Sequence, residues 1–246
     1  MKPPVNKDSL NQIASQYHLN SEVTDKEFDQ KFHRMCVDWV IGWLKPGSRV
    51  LEMGFGEGNV TRQLLAAGME VEIIEGAELL VNRAREIYGD LVSAHYALFS
   101  EFRPACEYDA ILATNILEHV ADPSETLACV RSWCTPDTRV VVTVPNAGSI
   151  HRRLAVLMGL QPKLETLSPR DHLVGHMRVY DFEQLAREVS DAGFEIVDQK
   201  GFLLKVLPNS MMKGMSKELV EAFYAIAGQL DIRYLADMGV VLKLKS

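Results

Sequence analysis

The chain has 246 residues, 47% of them hydrophobic and 24% charged, with a formal net charge of −7. This composition fits a soluble globular fold with a full-sized core and excludes a disordered or fibrous one, and the acidic balance speaks against a general nucleic-acid binder, which needs a basic face. Cys36, Cys106, Cys129 and Cys134 form no CxxC and no zinc spacing, MKPPVNKDSL lacks an apolar signal core, and no apolar run approaches the roughly 20 residues of a membrane span, so the expectation is a cytoplasmic protein with idle thiols.

Residues 7–44 read as helical, with Phe28, Phe32, Met35, Trp39, Ile41 and Trp43 at mixed three- and four-residue spacings. K45-P-G-S48 interrupts that pattern, and R49-V-L-E-M53 begins a strand. After a glycine loop, N59–A67 reads as a helix stopped by Gly68, E70-V-E-I-I-E75 as a strand, 77–88 as a helix and 91–96 as a strand. A strand over 108–114 and a helix over 123–133 follow. R139-V-V-V-T-V144 is a buried strand that Pro145 ends. Residues 149–180 are rich in Arg, His, Pro and Met without a clean period, which predicts an inserted lid. A helix over 181–192, a strand over 193–198, a helix over 216–228 and a strand over 238–244 complete the chain. Strands alternating with helices at these intervals predict a mostly parallel sheet covered on both faces.

The first loop, V50-L-E-M-G-F-G-E-G-N59, carries Gly54-x-Gly56-x-Gly58 where a dinucleotide fingerprint would be GxGxxG, so Asn59 stands at the third glycine position. Glycines there let the chain turn with positive φ and let a ligand approach the backbone. Glu52 and Glu57 would repel phosphates lying over the loop. Glu75 ends the second strand nineteen residues after Gly56, where an acidic side chain accepts from two ribose hydroxyls. Together these features describe adenosine carrying positive charge and no phosphate.

The segments V50-LEMGFGEG58, V71-EIIEG76, Y108-DAILATNILEHVADP123 and R139-VVVTVPN146 resemble, in that order, the signatures of class I S-adenosylmethionine-dependent methyltransferases. The resemblance covers about 49–200 and is greatest to ubiquinone-biosynthesis-type small-molecule O-methyltransferases. It implies an α/β fold: a Rossmann-like seven-stranded, mostly parallel sheet with helices on both faces. A helical cover over 1–46 would precede the main domain over 47–246, with a substrate lid inserted after the fifth strand at about 149–180. It implies S-adenosyl-L-methionine as methyl donor, with Glu52, Gly54 and Gly56 lining its methionine end and Glu75 holding its ribose. Gly76 and Ala77 would lie under the adenine and Leu98 and Phe99 beside it, although A97-L-F99 lacks the acidic residue the family often has there. Asn115 would lie close to the transferred methyl.

A hydroxyl acceptor must lose a proton, and histidine is suited to take it near neutral pH. The candidates are His119, His151, His172 and His176, with His119, His172, His176 and Asn115 assigned to the catalytic site. His119 follows Glu118 at the mouth of the sheet, where it is either the base or a helix-entry residue. His172 and His176 would share one face of a helix, or lie in a loop around Gly175. Some relatives hold a divalent metal through Glu-x-x-Glu-His and a later histidine, which here would be Asn115-x-x-Glu118-His119 and His172. Asn115 in place of a carboxylate removes a charge that a hard cation wants, so no metal ligands are assigned and a divalent metal is the lesser alternative. H151-R-R153 reads as solvated surface, or as the phosphate contacts if RNA were bound. Trp39 and Trp43 read as core packing, and Met211, Met212 and Met215 as the wall of a substrate site or a subunit contact. The expected function is methyl transfer to a small-molecule or natural-product acceptor, chiefly at oxygen, without nucleic acid or membrane and with a homodimer left open. The alternatives are a non-catalytic cofactor-binding protein and an RNA 2′-O-methyltransferase.

Overall fold

The strand R139–P145 shows how this sequence builds its sheet. Val140, Val142 and Val144 enter one core and Val141 the other, all fully buried. Such a strand is stable only with cover on both faces, and each buried valine then contributes about 1.5–3 kcal/mol. In the computed structural model, which describes residues 6–22, 27–212 and 214–245 (and not the side chains of 27–29, 209 and 210), this strand is β5 (Arg139–Pro145). The others are β1 (Arg49–Met53), β2 (Glu70–Glu75), β3 (Val92–Tyr96), β4 (Ala110–Thr114), β6 (Phe194–Phe202) and β7 (Asp237–Leu244). Their order is β3-β2-β1-β4-β5-β7-β6, with β1 to β5 parallel and β7 antiparallel to both of its neighbours. The expected seven-stranded, mostly parallel sheet is the observed one.

The helices are α1 (Lys7–Ile13), α2 (Glu27–Ile41), α3 (Asn59–Ala66), α4 (Glu78–Tyr88), α5 (Pro123–Trp133), α6 (Ile150–Leu157), α7 (Pro169–Leu173), α8 (Phe182–Asp191), α9 (Asn209–Met212) and α10 (Lys217–Ala225). The single helical run expected over 7–44 is two helices. A π-helical turn over Ala14–His18 follows α1, and Asn20 then folds on itself, its side chain donating to Gln16 O and accepting from Glu22 N. Phe28 lies outside the described side chains. Trp39 packs as expected, its ring 5.9 Å from that of Phe202 and its Nε1 donating to Asp198 at 2.8 Å. Trp43 does not; it is exposed. β6 runs four residues beyond the expected strand because β7 pairs with it as far as Phe202. The 149–180 segment holds α6 and α7 rather than structureless chain. The cysteines are free thiols, and no described helix is long and apolar enough to cross a membrane.

Candidate active site

The chain leaves β1 for β2 and β3 on one side and later returns to β4 on the other. That reversal opens a crevice at the carboxyl ends of the strands, here a cavity of about 700 Å³. The loop after β1 lines it. Gly54 and Gly58 have φ of 78° and 72°, and a Cβ would fall 2.9 Å from Ile116 Cδ1 at the first and 2.7 Å from the Phe55 ring at the second. Both backbone conformation and space therefore require glycine.

Glu75 is buried at the end of β2 and closes this loop: its Oε2 accepts from Phe55 N at 2.9 Å and its Oε1 from Ala77 N at 2.7 Å. Burial raises its pKa, opposed by the backbone N–H groups of Phe55, Ala77, Gly76 and Gly56. Glu52 is also buried and accepts from Thr61 Oγ1 at 2.6 Å. Burial pushes its carboxyl up to about 8, with Thr61 pulling the other way and Glu75 adding repulsion. A cation standing beside it would favour the carboxylate. Gly56, Gly76, Ala77, Leu98 and Phe99 line the same cavity. At Gly76 an added Cβ would lie 2.5 Å from Leu10 Cδ1 and 3.3 Å from Leu98 Cδ2, so the wall is flat there by necessity.

The N-terminal segment covers this end. His18 lies over Gly56, and Ile13 lies against Gly175, just past α7. Tyr17 accepts from Arg170 Nη2 at 2.8 Å.

Beyond β4 the chain turns at Asn115, whose φ of 54° is a left-handed conformation that asparagine tolerates. Its amide N donates to Thr143 O at 3.0 Å, and its side-chain oxygen accepts from Thr143 Oγ1 at 3.2 Å. Glu118 and His119 follow. Glu118 is fully buried, and neither carboxylate oxygen has a hydrogen-bond partner of good geometry. Burial raises its pKa to about 7, offset in part by His176, Asn115 and Arg178. His119 is held well below its usual basicity by burial and by the neighbouring His176, His18 and Arg178.

His176 completes the group. Its ring packs edge-on against His119 with centroids 4.7 Å apart, its Nε2 lies 4.0 Å from Glu118 Oε1, and its Nδ1 lies 2.9 Å from Asp171 Oδ1. The other Asp171 oxygen accepts from Arg152 Nη2 at 2.8 Å. Although burial opposes it, His176 and Arg152 hold the Asp171 carboxyl far below the usual range. An ionised Asp171 can only accept, so Nδ1 of His176 donates to it and Nε2 is left on the Glu118 side. Arg178 fixes the opposite wall by donating to Leu117 O, Val120 O and Ala121 O at 2.7, 2.5 and 2.9 Å, and Met177 N donates to Glu118 O at 2.7 Å.

The structure redistributes the expected histidines. His172 is on α7, exposed at the cavity mouth, while His176 lies past the helix end and faces inward; the two do not share a helix face. Of H151-R-R153, only Arg153 is exposed as expected; His151 is half-buried and Arg152 buried. Arg152 is buried on Asp171 and on the carbonyls of Leu164 and Thr166, and Arg153 bonds Gly148 O and lies over Tyr234. Met211, Met212 and Met215 do not line the cavity. Asp171, Arg152 and Arg178 carried no sequence signal beyond S168-P-R-D171, which spells a helix cap.

Two ligand types were tested against these residues. The bare glycine loop, the flat wall at Gly76 and the buried Glu75 acceptor fit an adenosine derivative. Glu118, His119 and His176 offer three ligand atoms within 4.8 Å of one another, and the unbonded Glu118 carboxylate together with Asp171 behind His176 fits a divalent metal of the borderline class. The later histidine of that set is His176, not His172.

Residues 22–199 match a family model described as a methyltransferase domain. The ubiquinone biosynthesis O-methyltransferase of Aromatoleum aromaticum is 27% identical over 194 residues, covering 77% of this chain and 76% of that protein. An uncharacterized methyltransferase of Geobacillus is 35% identical over 112 residues, 44% of this chain and 52% of that one. Among solved structures, the 1,6-didemethyltoxoflavin-N1-methyltransferase of Burkholderia thailandensis, with 1,6-didemethyltoxoflavin and S-adenosylhomocysteine bound, aligns with a TM-score of 0.63 at 17% identity over 100% of this chain and 93% of that one. The glycopeptide N-methyltransferase MtfA complexed with S-adenosylmethionine aligns with a TM-score of 0.57 at 14% identity over 86% and 93%. The chain belongs to the methyltransferase-domain family, and it is a class I enzyme whose methyl donor is S-adenosylmethionine.

Proposed function

We propose that the enzyme methylates a hydroxyl oxygen of a small molecule, with Glu118, His119 and His176 as the group that activates the acceptor. The observation that carries this reading is the Asp171-held His176, which lies beside Glu118 and His119 in the same cavity as the glycine loop. Bound S-adenosylmethionine supplies an electrophilic methyl on sulfur. Glu75 would hold the ribose hydroxyls, and Gly54, Gly56 and Glu52 would seat the methionine end. Asn115 would border the methyl. Holding the acceptor oxygen near contact with that carbon supplies much of the rate, while Nε2 of His176 would take the hydroxyl proton as the C–O bond forms and the C–S bond breaks, its electron pair staying on sulfur so that S-adenosylhomocysteine leaves. The name of the Aromatoleum relative supports oxygen as the acceptor atom. The burial of Arg152 on Asp171 supports a small molecule over RNA, because it removes one of the two arginines of the triplet from phosphate binding.

A second reading is favoured by the unbonded Glu118 carboxylate: Glu118, His119 and His176 would hold a divalent metal that lowers the pKa of a coordinated hydroxyl. A screen of phenols, amines and carboxylic acids with labelled methyl donor, run with and without EDTA, tests both readings. Label in an aryl ether is expected. Loss of activity in EDTA with rescue by Mn²⁺ selects the metal reading, and label confined to amines overturns oxygen.

Glu52 gives the cofactor site a pH signature. Below about pH 8 its buried carboxyl is protonated, whereas a sulfonium or ammonium beside it favours the carboxylate, so binding expels a proton. Affinity for S-adenosylmethionine is expected to rise by up to about tenfold per pH unit toward pH 8 and to level off above it. Calorimetry in two buffers of different ionisation heat reads the proton directly; a flat profile without proton release would remove Glu52 from the site.

A further inference from the structure

Gly76 and Ala77, where the chain passes from β2 into α4, have almost no side chain. Gly76 does not adopt a positive φ, so its backbone conformation does not require glycine. Ala77 is the N-cap of α4 and has no side-chain oxygen to cap it. The N-terminal helix α1 supplies what each lacks. Leu10 Cδ1 stands 2.5 Å from where a Cβ of Gly76 would fall, and Leu98 Cδ2 stands 3.3 Å from the same point, so glycine is there to admit Leu10. Asn11 Oδ1 accepts from Leu79 N at 3.1 Å, satisfying one of the N–H groups that the first turn of α4 leaves unpaired.

The same helix is fastened to the loop after β3. Lys7 Nζ lies 2.7 Å from Glu101 Oε2 and 4.6 Å over the centre of the Tyr96 ring, and Glu101 Oε2 also accepts from Leu98 N at 3.0 Å. A helix of seven residues with none fully buried is not stable on its own in water. Its start is fixed by the reciprocal bonds of Asn6 and Ser9, and its place by the β2–α4 turn and the β3 loop. Ser9, Leu10, Gly76, Ala77, Leu80 and Leu98 line the cavity together. The sheet order puts β3 on the side of β2 away from β1, so this wall lies beyond Glu75 from the glycine loop.

We propose that α1 is part of the cofactor site and that Leu10, with Leu98, forms the apolar wall of its base subsite, standing in for the side chain that Gly76 lacks. This rests on the reading that seats S-adenosylmethionine with its ribose on Glu75, and it names a residue for the base that lies beyond the ribose. An adenine ring against two leucine side chains is removed from water, and the affinity gained follows the apolar area covered.

Calorimetry on the full chain tests the wall, with S-adenosylhomocysteine and with 5′-methylthioadenosine, which keeps the nucleoside and lacks the amino-acid end. Leu10→Ala is expected to weaken both by the same factor, about tenfold, and Leu10→Met to keep both within about twofold. Gly76→Ala, which puts a methyl against Leu10, is expected to weaken binding as well, and the double variant Leu10→Ala/Gly76→Ala to bind more tightly than Gly76→Ala alone. Hydrogen exchange on the wild type needs no variant: S-adenosylhomocysteine is expected to slow the amides of residues 10–14 by about tenfold or more. Unchanged or tighter binding in Leu10→Ala, a loss confined to S-adenosylhomocysteine, or no binding of 5′-methylthioadenosine overturns the assignment. So does a double variant no better than Gly76→Ala, or unaltered exchange over residues 10–14. Folded wild-type protein that binds no S-adenosylhomocysteine is a different result and counts against the cofactor reading itself.

Discussion

Replacing His176 by alanine is expected to lower turnover by about 10²- to 10⁴-fold, the usual worth of a positioned general base, while affinity for S-adenosylhomocysteine stays within about twofold. The separation follows from the geometry: His176 meets Asp171, His119 and Glu118, whereas Glu75 closes the glycine loop at Phe55 and Ala77. Asp171→Asn offers a finer test. The amide no longer provides the charge that His176 Nδ1 meets, and Arg152 loses its carboxylate partner, so turnover should fall by about tenfold or more. His172→Ala, at the exposed mouth, should cost far less than His176→Ala. Equal losses at the two positions, or full activity in His176→Ala, would show that the cluster does not activate the acceptor.

Glu75→Ala is expected to weaken cofactor binding by about 10²- to 10⁴-fold. Two hydrogen bonds from ribose hydroxyls to a charged acceptor contribute about 1.5–3 kcal/mol each, and each 1.4 kcal/mol is tenfold. A second effect accompanies it, because the same carboxylate accepts the backbone N–H groups of Phe55 and Ala77. Leaving buried donors unpaired costs about 1–3 kcal/mol apiece, so the melting temperature should drop by several degrees. Glu75→Gln keeps one acceptor oxygen and should lie between the wild type and alanine in both measurements. Unchanged affinity in Glu75→Ala, measured below its own melting temperature, would take Glu75 out of the cofactor site.

The two glutamates show where reading residues in order succeeds and where it stops. Glu75 was legible because its place at the end of β2, a fixed distance beyond the glycine loop, follows from the βαβ unit itself. Glu52 was legible as a site residue but not as one with a raised pKa, since its protonation depends on burial and on Thr61, which only the folded chain brings together. The β5 valines marked a strand buried on both faces, because no other arrangement removes all of them from water. By contrast, the break at Asn20 in the N-terminal helices rests on one side chain turning back on its own backbone, a local competition that a mixed three- and four-residue apolar spacing concealed.

The acceptor side was less legible, for a related reason. Its groups are assembled across turns and across long stretches of chain. His176 and His172 looked like one helical face, yet S168-P-R-D171 caps a helix of only five residues, so the chain has left the helix before His176 is reached. Asp171 then meets His176 through the helix end rather than along its side. Arg152 sat in a basic triplet and looked like surface, whereas its partner is Asp171, nineteen residues on. A run of like charge says nothing about which member will be buried, because that depends on a carboxylate the run does not contain.

The account depends above all on the cavity at the ends of β1 and β2 binding S-adenosylmethionine through the glycine loop and Glu75. Calorimetric titration of the full chain with S-adenosylhomocysteine, with NAD as the competing nucleotide, tests this most directly. One site per chain for S-adenosylhomocysteine, a large loss in Glu75→Ala and no heat with NAD are the predicted results. Heat with NAD but none with S-adenosylhomocysteine, from protein shown to be folded, would contradict it.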